Sequence, residues 1–319
     1  MPSFEMVRDL DRQKGELALT AYLEAPEPQK TYIGCLDQIL GGGMMRGVTV
    51  IGGPSSSGKS IIGCQAAAFM AAMGTKVVYA SYEMPWDVVQ LRMASAWSHT
   101  ANAREMGVKP FSWSYVATGK AKKESAYSNM DHFSLSRVIV ERPDPIAHAL
   151  NMWDSGPGRN VAVLTSGNSV SMLCGMCRNI SDVQSMALVI DYIQIVPTDK
   201  SDQKEYERVT EVMNTLQQHA LDINGCPVLA ISSCRNLKPA DYQDGPSMEW
   251  LRGSGYIQYD AEQIVMLVPD KEKNDAGNLV TARDTDGSMF AKLTVLKNRT
   301  GETDKSIAIR VYGEYSYIK

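Results

Sequence analysis

The chain has 319 residues, 44% of them hydrophobic and 21% charged, with 25 glycines and 14 prolines, a composition that excludes collagen-like, coiled-coil and disordered classes. Lysine plus arginine (32) against aspartate plus glutamate (36) leaves a net charge of −4, so no global basicity points to nucleic acid, although a local basic channel would be invisible in that sum. Six cysteines in a chain this long do not make a disulfide scaffold, and eighteen methionines with a start unlike a signal peptide point to a soluble cytoplasmic protein.

In chain order, Met6, Val7 and Leu10, then Leu19, Tyr22 and Leu23, recur at helical spacings with charges between them. Residues 1–29 therefore read as an amphipathic arm closed by a Pro-rich hinge at Pro26 and Pro28. Such an arm either folds back on its own core or docks on a neighbour. Residues 30–319 read as one α/β domain. The run 47–53 is a buried strand and 59–73 a helix; its apolar stretch, 61–74, is too short to cross a membrane and is broken by Gln65. A second strand, 76–83, precedes a helix at 85–99, and the Ser-, Lys- and Tyr-rich residues 101–136 carry no clear period. Further β-branched runs lie at 137–141 and 160–165, a helix at 169–184, a buried strand at 187–196 and an amphipathic helix at 205–223. Strands at 227–232 and 264–268 follow. The runs 289–296 and 306–311 alternate apolar and polar residues around Arg299-Thr300-Gly301, which predicts an antiparallel hairpin. Apolar strands interleaved with helices predict a mostly parallel twisted sheet with helices on both faces.

The stretch Gly53, Pro54, Ser55, Ser56, Ser57, Gly58, Lys59, Ser60 fills every fixed position of the phosphate-loop pattern, between a predicted strand and a predicted helix. Glycines let the backbone wrap phosphate with its N–H groups inward, and the helix N-terminus adds its positive dipole end. Lys59 would reach the β- and γ-phosphates of ATP and the Ser60 hydroxyl would ligate Mg²⁺. Asp191 follows four apolar residues, the way a buried strand delivers one charge at its carboxyl end, and is the candidate metal carboxylate. Glu83, past the end of a strand, either holds and polarises the attacking water or complements the dipole of the helix that follows.

Together these segments resemble the RecA-like ATPases, most closely the ATPase domain of DnaB-type hexameric replicative helicases, over roughly residues 31–315. Thr31 to Asp37 resembles the family's approach to its phosphate-loop strand, and Ser81-Tyr-Glu83-Met84-Pro85 with Arg92-Met93 its catalytic-glutamate motif. Residues 190–194 are similar to its metal-site strand, and Leu251-Arg252-Gly253-Ser254-Gly255 to the loop lining its DNA channel. Lys297-Asn298-Arg299-Thr300-Gly301 resembles its trans-acting finger. The resemblance implies a homo-oligomeric ring, of hexameric size, that binds ATP between subunits. Lys297 and Arg299 would reach the neighbour's γ-phosphate, and Arg252, Gly253 and Gly255 would contact single-stranded DNA. It further implies that other replication proteins are partners and that no membrane is involved.

Three departures stand out. Ser233 stands where the family carries a glutamine that senses the γ-phosphate, so sensing would run through Ser233 or be rerouted through Arg235 or water. Gly253 replaces a common acid, and the short arm stands in place of the family's helical N-terminal domain. The implied function is an ATP-dependent DNA helicase. Alternatives are a strand-exchange or clock-type remodelling ATPase without unwinding, and a nucleotide-dependent loader or scaffold.

Other residues read as structural. Cys174 and Cys177 form a lone CxxC, and neither Cys226 nor Cys234 has a partner close in sequence for zinc. The four histidines, His99, His132, His148 and His219, have no metal or triad spacing. Lys120, Lys122 and Lys123 read as solvated surface, with nucleic-acid contact the alternative. Trp86, Trp97, Trp113 and Tyr115 read as packing residues.

Overall fold

The computed structural model describes residues 27–121, 144–165, 167–180, 185–222 and 225–319. The expected arm up to residue 26, the run 137–141, His132, Lys122 and Lys123 lie outside the described residues. Within the rest, the elements are α1 (Gly34–Leu40), β1 (Val48–Gly53), α2 (Lys59–Ala72), β2 (Lys76–Ser81), α3 (Trp86–Ser98), α4 (Ala101–Glu105), α5 (Trp113–Ala117) and α6 (Pro145–Ser155). Then come β3 (Val161–Thr165), α7 (Val170–Arg178), β4 (Met186–Asp191), α8 (Glu205–Leu221), β5 (Val228–Ser233), α9 (Pro239–Asp244) and α10 (Ser254–Asp260). The chain closes with β6 (Gln263–Pro269), the ribbon β7 (Lys271–Lys273) and β8 (Leu279–Thr281), β9 (Met289–Asn298), β10 (Ser306–Tyr312) and β11 (Tyr317–Ile318).

The main sheet has the order β11-β10-β9-β6-β1-β5-β4-β2-β3. From β6 to β3 the pairing is parallel, and β9, β10 and β11 add antiparallel strands at one edge. Successive side chains of a strand face opposite sides. Val48 and Val50 of β1 thus pack with α7 and α8 through Leu173, Val209 and Leu216. Ile51 packs with α2, α3 and α6 through Ile62, Met93 and Trp153. The two layers are the helices on both faces that the apolar strands predict. Among the described residues no helix is long and apolar enough to cross a membrane.

Some boundaries differ from expectation. The strand predicted over 187–196 stops at Asp191, and a 3-10 turn, Ile193–Ile195, follows. The turn buries Ile193 and Gln194, so the apolar run continues through a change of backbone conformation. The helix predicted over 169–184 runs only over Val170–Arg178, capped by Ser169, whose hydroxyl accepts from the Met172 N–H. Residues 101–121, without a period, hold α4 and α5, whose N-caps Thr100 and Ser112 accept from the N–H groups of Ala103 and Tyr115. The part of the expected hinge that is described is pinned, since Gln29 exchanges both backbone hydrogen bonds with Met44.

Gln65, which interrupts the apolar stretch of α2, has a clear task. It is buried, its amide donates to the Ile318 carbonyl (3.2 Å) and its oxygen accepts from the Ile318 N–H (2.7 Å), so α2 holds the edge strand β11. Gln65→Leu leaves both Ile318 backbone groups unpaired in a dry environment, at a cost of about 1–3 kcal/mol. We expect a lower midpoint in chemical denaturation and faster hydrogen exchange at the Ile318 amide, with exchange across β1, β4 and β5 unchanged.

Candidate nucleotide site

The loop after β1 turns on two glycines. A Cβ on Gly53 would stand 2.5 Å from the Leu267 carbonyl oxygen, and Gly58 has φ +100°, a conformation side chains disfavour. Lys59 opens α2, whose first-turn N–H groups have no partner within the helix. Its Nζ donates to the Pro54 carbonyl (2.7 Å) across the loop.

Strand order brings the acids to this loop. β4 and β2 are paired so that Asp191 lies opposite Ser81, and the Tyr82 N–H donates to the Asp191 carbonyl (2.8 Å). Glu83 is two residues past the end of β2. A cleft of about 560 Å³ collects Ser55, Ser56, Gly58, Lys59, Ser60, Glu83, Asp191, Ser233 and Arg252 along its walls. Gly53, Pro54 and Ser57 complete the loop beneath it.

Burial sets the electrostatics. It pushes the Asp191 carboxyl above the usual carboxylate range, and the Glu83 charge adds to this, while Ser60, Tyr79 and Lys59 oppose it. Burial also pulls the Lys59 ammonium below its ordinary value, against the upward pull of Cys234, Asp191 and Glu83. Tyr79 donates to Asp191 Oδ2 (3.0 Å) from within β2. Asp191 Oδ1 is buried with no hydrogen bond of its own, and the Ser60 hydroxyl stands beside the carboxylate. An orphaned carboxylate oxygen next to a serine hydroxyl is an oxygen donor set that suits a hard divalent cation such as Mg²⁺. The glycine cradle, the helix N-terminus and Lys59 suit a triphosphate.

The remaining expected residues fall elsewhere. Arg252 lines the cleft, but its guanidinium is ion-paired with Glu205 at the start of α8. Gly253 has φ +76°, and a Cβ there would meet Val209 at 2.9 Å, which accounts for glycine where the resemblance implies an acid. Gly255 lies in the first turn of α10 with open space around it. Arg235 does not line the cleft; it forms a double hydrogen bond with Asp241 (3.1 and 2.6 Å). Rerouted sensing through Arg235 would have to break that pair first.

Lys297 and Arg299 are at the other edge of the sheet. Lys297 pairs with Ile264 at the start of β6, and β6 runs parallel to β1. Ile264 in turn lies opposite Val50, so Lys297 is separated from the phosphate loop by the last three residues of β1, at about 3.3 Å each, and by the width of β6, while Arg299, whose N–H donates to the Glu262 carbonyl, lies level with the start of β1. They are not a bare hairpin tip. Lys297 Nζ donates to the Gln258 and Tyr259 carbonyls (2.5 and 3.2 Å), and Arg299 donates to Tyr259 (2.5 Å) and pairs with Glu262 (3.4 Å). Both cations thus hold the C-terminal end of α10.

Two residues of the resembling motifs, Arg92 and Gln194, stand in and behind the cleft wall. Arg92 lines the cleft with its guanidinium 4.2 Å above the Trp113 ring, and Trp113 donates to the Gly313 carbonyl (2.8 Å). Gln194 is buried between the ends of β4 and β5. At the other edge of the sheet, Cys226 lies against Cys177 and 3.4 Å from His219 Nε2; the hydrogen bond with Cys177 and burial push its thiol up. Cys174, Cys177 and Cys226 are buried in the core layer that holds α7 and α8.

A phosphate loop at the carboxyl edge of a parallel sheet, with acids from two neighbouring strands, defines a RecA-like nucleotide-binding fold. A family model described as the DnaB-like helicase C-terminal domain matches residues 159–318, half of the chain, and the chain belongs to this family. The replicative DNA helicase DnaB of Leifsonia xyli subsp. xyli is 29% identical over 142 residues, covering 44% of this chain and 29% of that protein. DnaB of Geobacillus stearothermophilus is 25% identical over 134 residues, covering 41% and 28%. The matched stretch therefore spans less than a third of these relatives. The fold is similar to a separately solved ATPase domain over the whole chain and 98% of that one (TM-score 0.69, 15% identity). It is also similar to a DnaB-like replicative helicase solved with a view to its interactions with primase, over 67% of that chain (TM-score 0.66, 15% identity).

The raised Asp191 makes a pH dependence testable. A proton held to higher pH competes with the cation there, so Mg²⁺ affinity should fall on acidification starting above about pH 4, the ordinary aspartate value. Mn²⁺ binding in the presence of nucleotide, followed by electron paramagnetic resonance across pH, should show this fall, and Asp191→Asn should bind weakly with a flattened profile.

Proposed function

We propose that this chain is the subunit of an ATP-driven DNA motor, a replicative-type helicase that hydrolyses ATP at subunit interfaces and moves along single-stranded DNA. The observation that carries this reading is the division of its cations between two edges. Lys59 stands in the cleft with Glu83 and Asp191, while Lys297 and Arg299 stand across the sheet. Phosphoryl transfer gains most from cations placed on both the leaving and the transferring phosphate. A second copy, its amino edge against this carboxyl edge, would bring them together, and a head-to-tail contact of that kind closes into a ring. Six subunits is the size the family resemblance implies.

In this reading the loop from Gly53 to Gly58 wraps the triphosphate and Lys59 neutralises its β- and γ-oxygens. Ser60 and Asp191 would hold Mg²⁺, which when bound supplies further charge neutralisation at those oxygens. Glu83 takes the proton of the attacking water at its carboxylate. Lys297 and Arg299 of a second copy offset charge on the transferring group. Ser233 faces the γ-phosphate, and Arg252 with the backbone at Gly253 and Gly255 tracks DNA phosphates. Other replication proteins are the expected further partners, in keeping with the primase interaction of the DnaB-like relative.

Steady-state ATP hydrolysis with and without an oligo-dT strand tests this. Turnover should require Mg²⁺ and rise with DNA, and Glu83→Gln should bind nucleotide normally with turnover reduced by about 10²–10⁴-fold. A loss under about tenfold would make Glu83 a dipole-complementing acid. Turnover indifferent to DNA would favour a scaffold, and stimulated turnover without opening of a forked duplex would favour a remodelling ATPase.

The division between two copies is tested by mixing. Lys59→Ala and Arg299→Ala proteins should each fold, and each should hydrolyse ATP poorly alone. A mixed assembly contains interfaces with an intact loop facing an intact finger, so part of the activity should return on mixing. Full activity in Arg299→Ala alone would place the finger elsewhere.

A further inference from the structure

Gln194 makes three side-chain hydrogen bonds in a dry setting. Its amide group donates to Ser232 Oγ (2.8 Å) and to the Arg252 carbonyl (3.0 Å), and its oxygen accepts from the Ser233 N–H (3.1 Å). It is 1% exposed, and it stands behind the cleft wall rather than in it. Its partners form the wall: Ser233 and Arg252 both line the cleft, and the Ser233 Oγ is buried there without a hydrogen bond. The Arg252 N–H also donates to the Ser233 carbonyl (3.0 Å), so the end of β5 and the Arg252 segment are tied on both sides.

We propose that Gln194 is the positioning residue that couples nucleotide at Ser233 to the DNA-contacting segment at Arg252. The inference rests on the reading of the two sites given above and names the group that joins them. A serine hydroxyl at 233 is too short to contact a γ-phosphate and at the same time span to the next segment. The Gln194 carboxamide supplies that span from the 3-10 turn that follows the neighbouring strand β4. A buried amide with its bonds filled has one favourable orientation, because every lost bond leaves a polar group unpaired in low dielectric. A shift of the Ser233 backbone on engaging phosphate therefore moves the amide, and the amide moves the Arg252 carbonyl. The Arg235 side chain is held in its own pair with Asp241, and its backbone N–H donates to the Trp250 carbonyl (2.7 Å), which leaves the Gln194 amide as the side-chain link between the two segments.

The test measures coupling directly, as the factor by which a non-hydrolysable ATP analogue with Mg²⁺ changes the Kd of the full chain for a fluorescent dT oligonucleotide. Coupled sites commonly give roughly 5–150-fold. In Gln194→Glu the carboxylate still accepts from Ser233 and Ser232 but has no hydrogen for the Arg252 carbonyl. The factor should fall to within about twofold of one, while analogue and oligonucleotide, each titrated alone, bind within about threefold of the parent. Gln194→Met, which keeps the length and removes every bond, should behave alike and serves where the glutamate variant does not fold. Ser232→Ala removes a partner outside the Ser233–Arg252 link and should keep the parent factor. Retention of that factor in Gln194→Glu or Gln194→Met, or an equal loss in Ser232→Ala, would overturn the assignment, as would a parent that binds both ligands without coupling. A parent that fails to bind the analogue or the oligonucleotide at all fails in the single titrations, and removes the functional reading together with the coupling.

Discussion

A parallel sheet covered on both faces leaves no water along its strands, so a charged side chain is tolerated only where a strand stops. β4 is buried from Ala187 onward and releases its one acid at the last position, Asp191. β1 ends in two glycines, which let the chain leave the sheet at once and begin α2 with Lys59. The edge of the sheet thereby gathers opposite charges at close range in a half-dry cleft. Burial pushes the Asp191 carboxyl up and the Lys59 ammonium down, and the charge of each partly offsets the shift of the other. A triphosphate with a divalent cation satisfies the two together, because it brings negative charge to the lysine and positive charge to the aspartate.

The same sheet explains why the second set of cations stands apart. α10 begins next to Arg252 at the carboxyl edge and ends next to β6 at the amino edge, so it crosses the layer in seven residues. Its last carbonyls carry the negative end of the helix dipole, and Lys297 and Arg299 bind them there. The placement of these cations is therefore tied to α10, and α10 is tied through the Arg252 segment to the nucleotide cleft. One short helix joins the two edges of the subunit.

Sequence patterns revealed the parts of this arrangement that are local. The phosphate loop could be read because its glycines, lysine and serine are consecutive, and Asp191 because four apolar residues precede it. The parallel sheet followed from apolar runs, although the run after Asp191 hid a change from strand to 3-10 turn, since both conformations are buried. The short helices α4 and α5 left a signal in Thr100 and Ser112, their N-caps, but five residues are too few to show a period. Long-range contacts left none. Trp113 meets Gly313 across 200 positions, Glu205 meets Arg252 across 47, and Gln194 joins residues 38 to 58 positions away. A glutamine inside an apolar run reads as one more strand residue until β5 is placed beside it. Cys177 and Cys226 likewise meet only because α7 and the start of β5 share one face.

Arg252 shows how one residue can be fixed and exchangeable at once. Its backbone is held by the Gln194 amide and by the Ser233 carbonyl in the interior, where a broken bond leaves unpaired polar groups. Its guanidinium pairs with Glu205 near the surface, the two side chains 41% and 40% exposed. Exposed pairs contribute little to stability and are screened by salt. In the proposed role a phosphate would replace Glu205 at small cost, because the guanidinium could change partner without moving the segment that carries it. Glu205 also sits in the first turn of α8, where the helix dipole continues to favour its charge after the arginine has left. On the reading proposed for Arg252, such an exchange would leave no charge buried and unpaired, which is the condition for a contact made and released repeatedly.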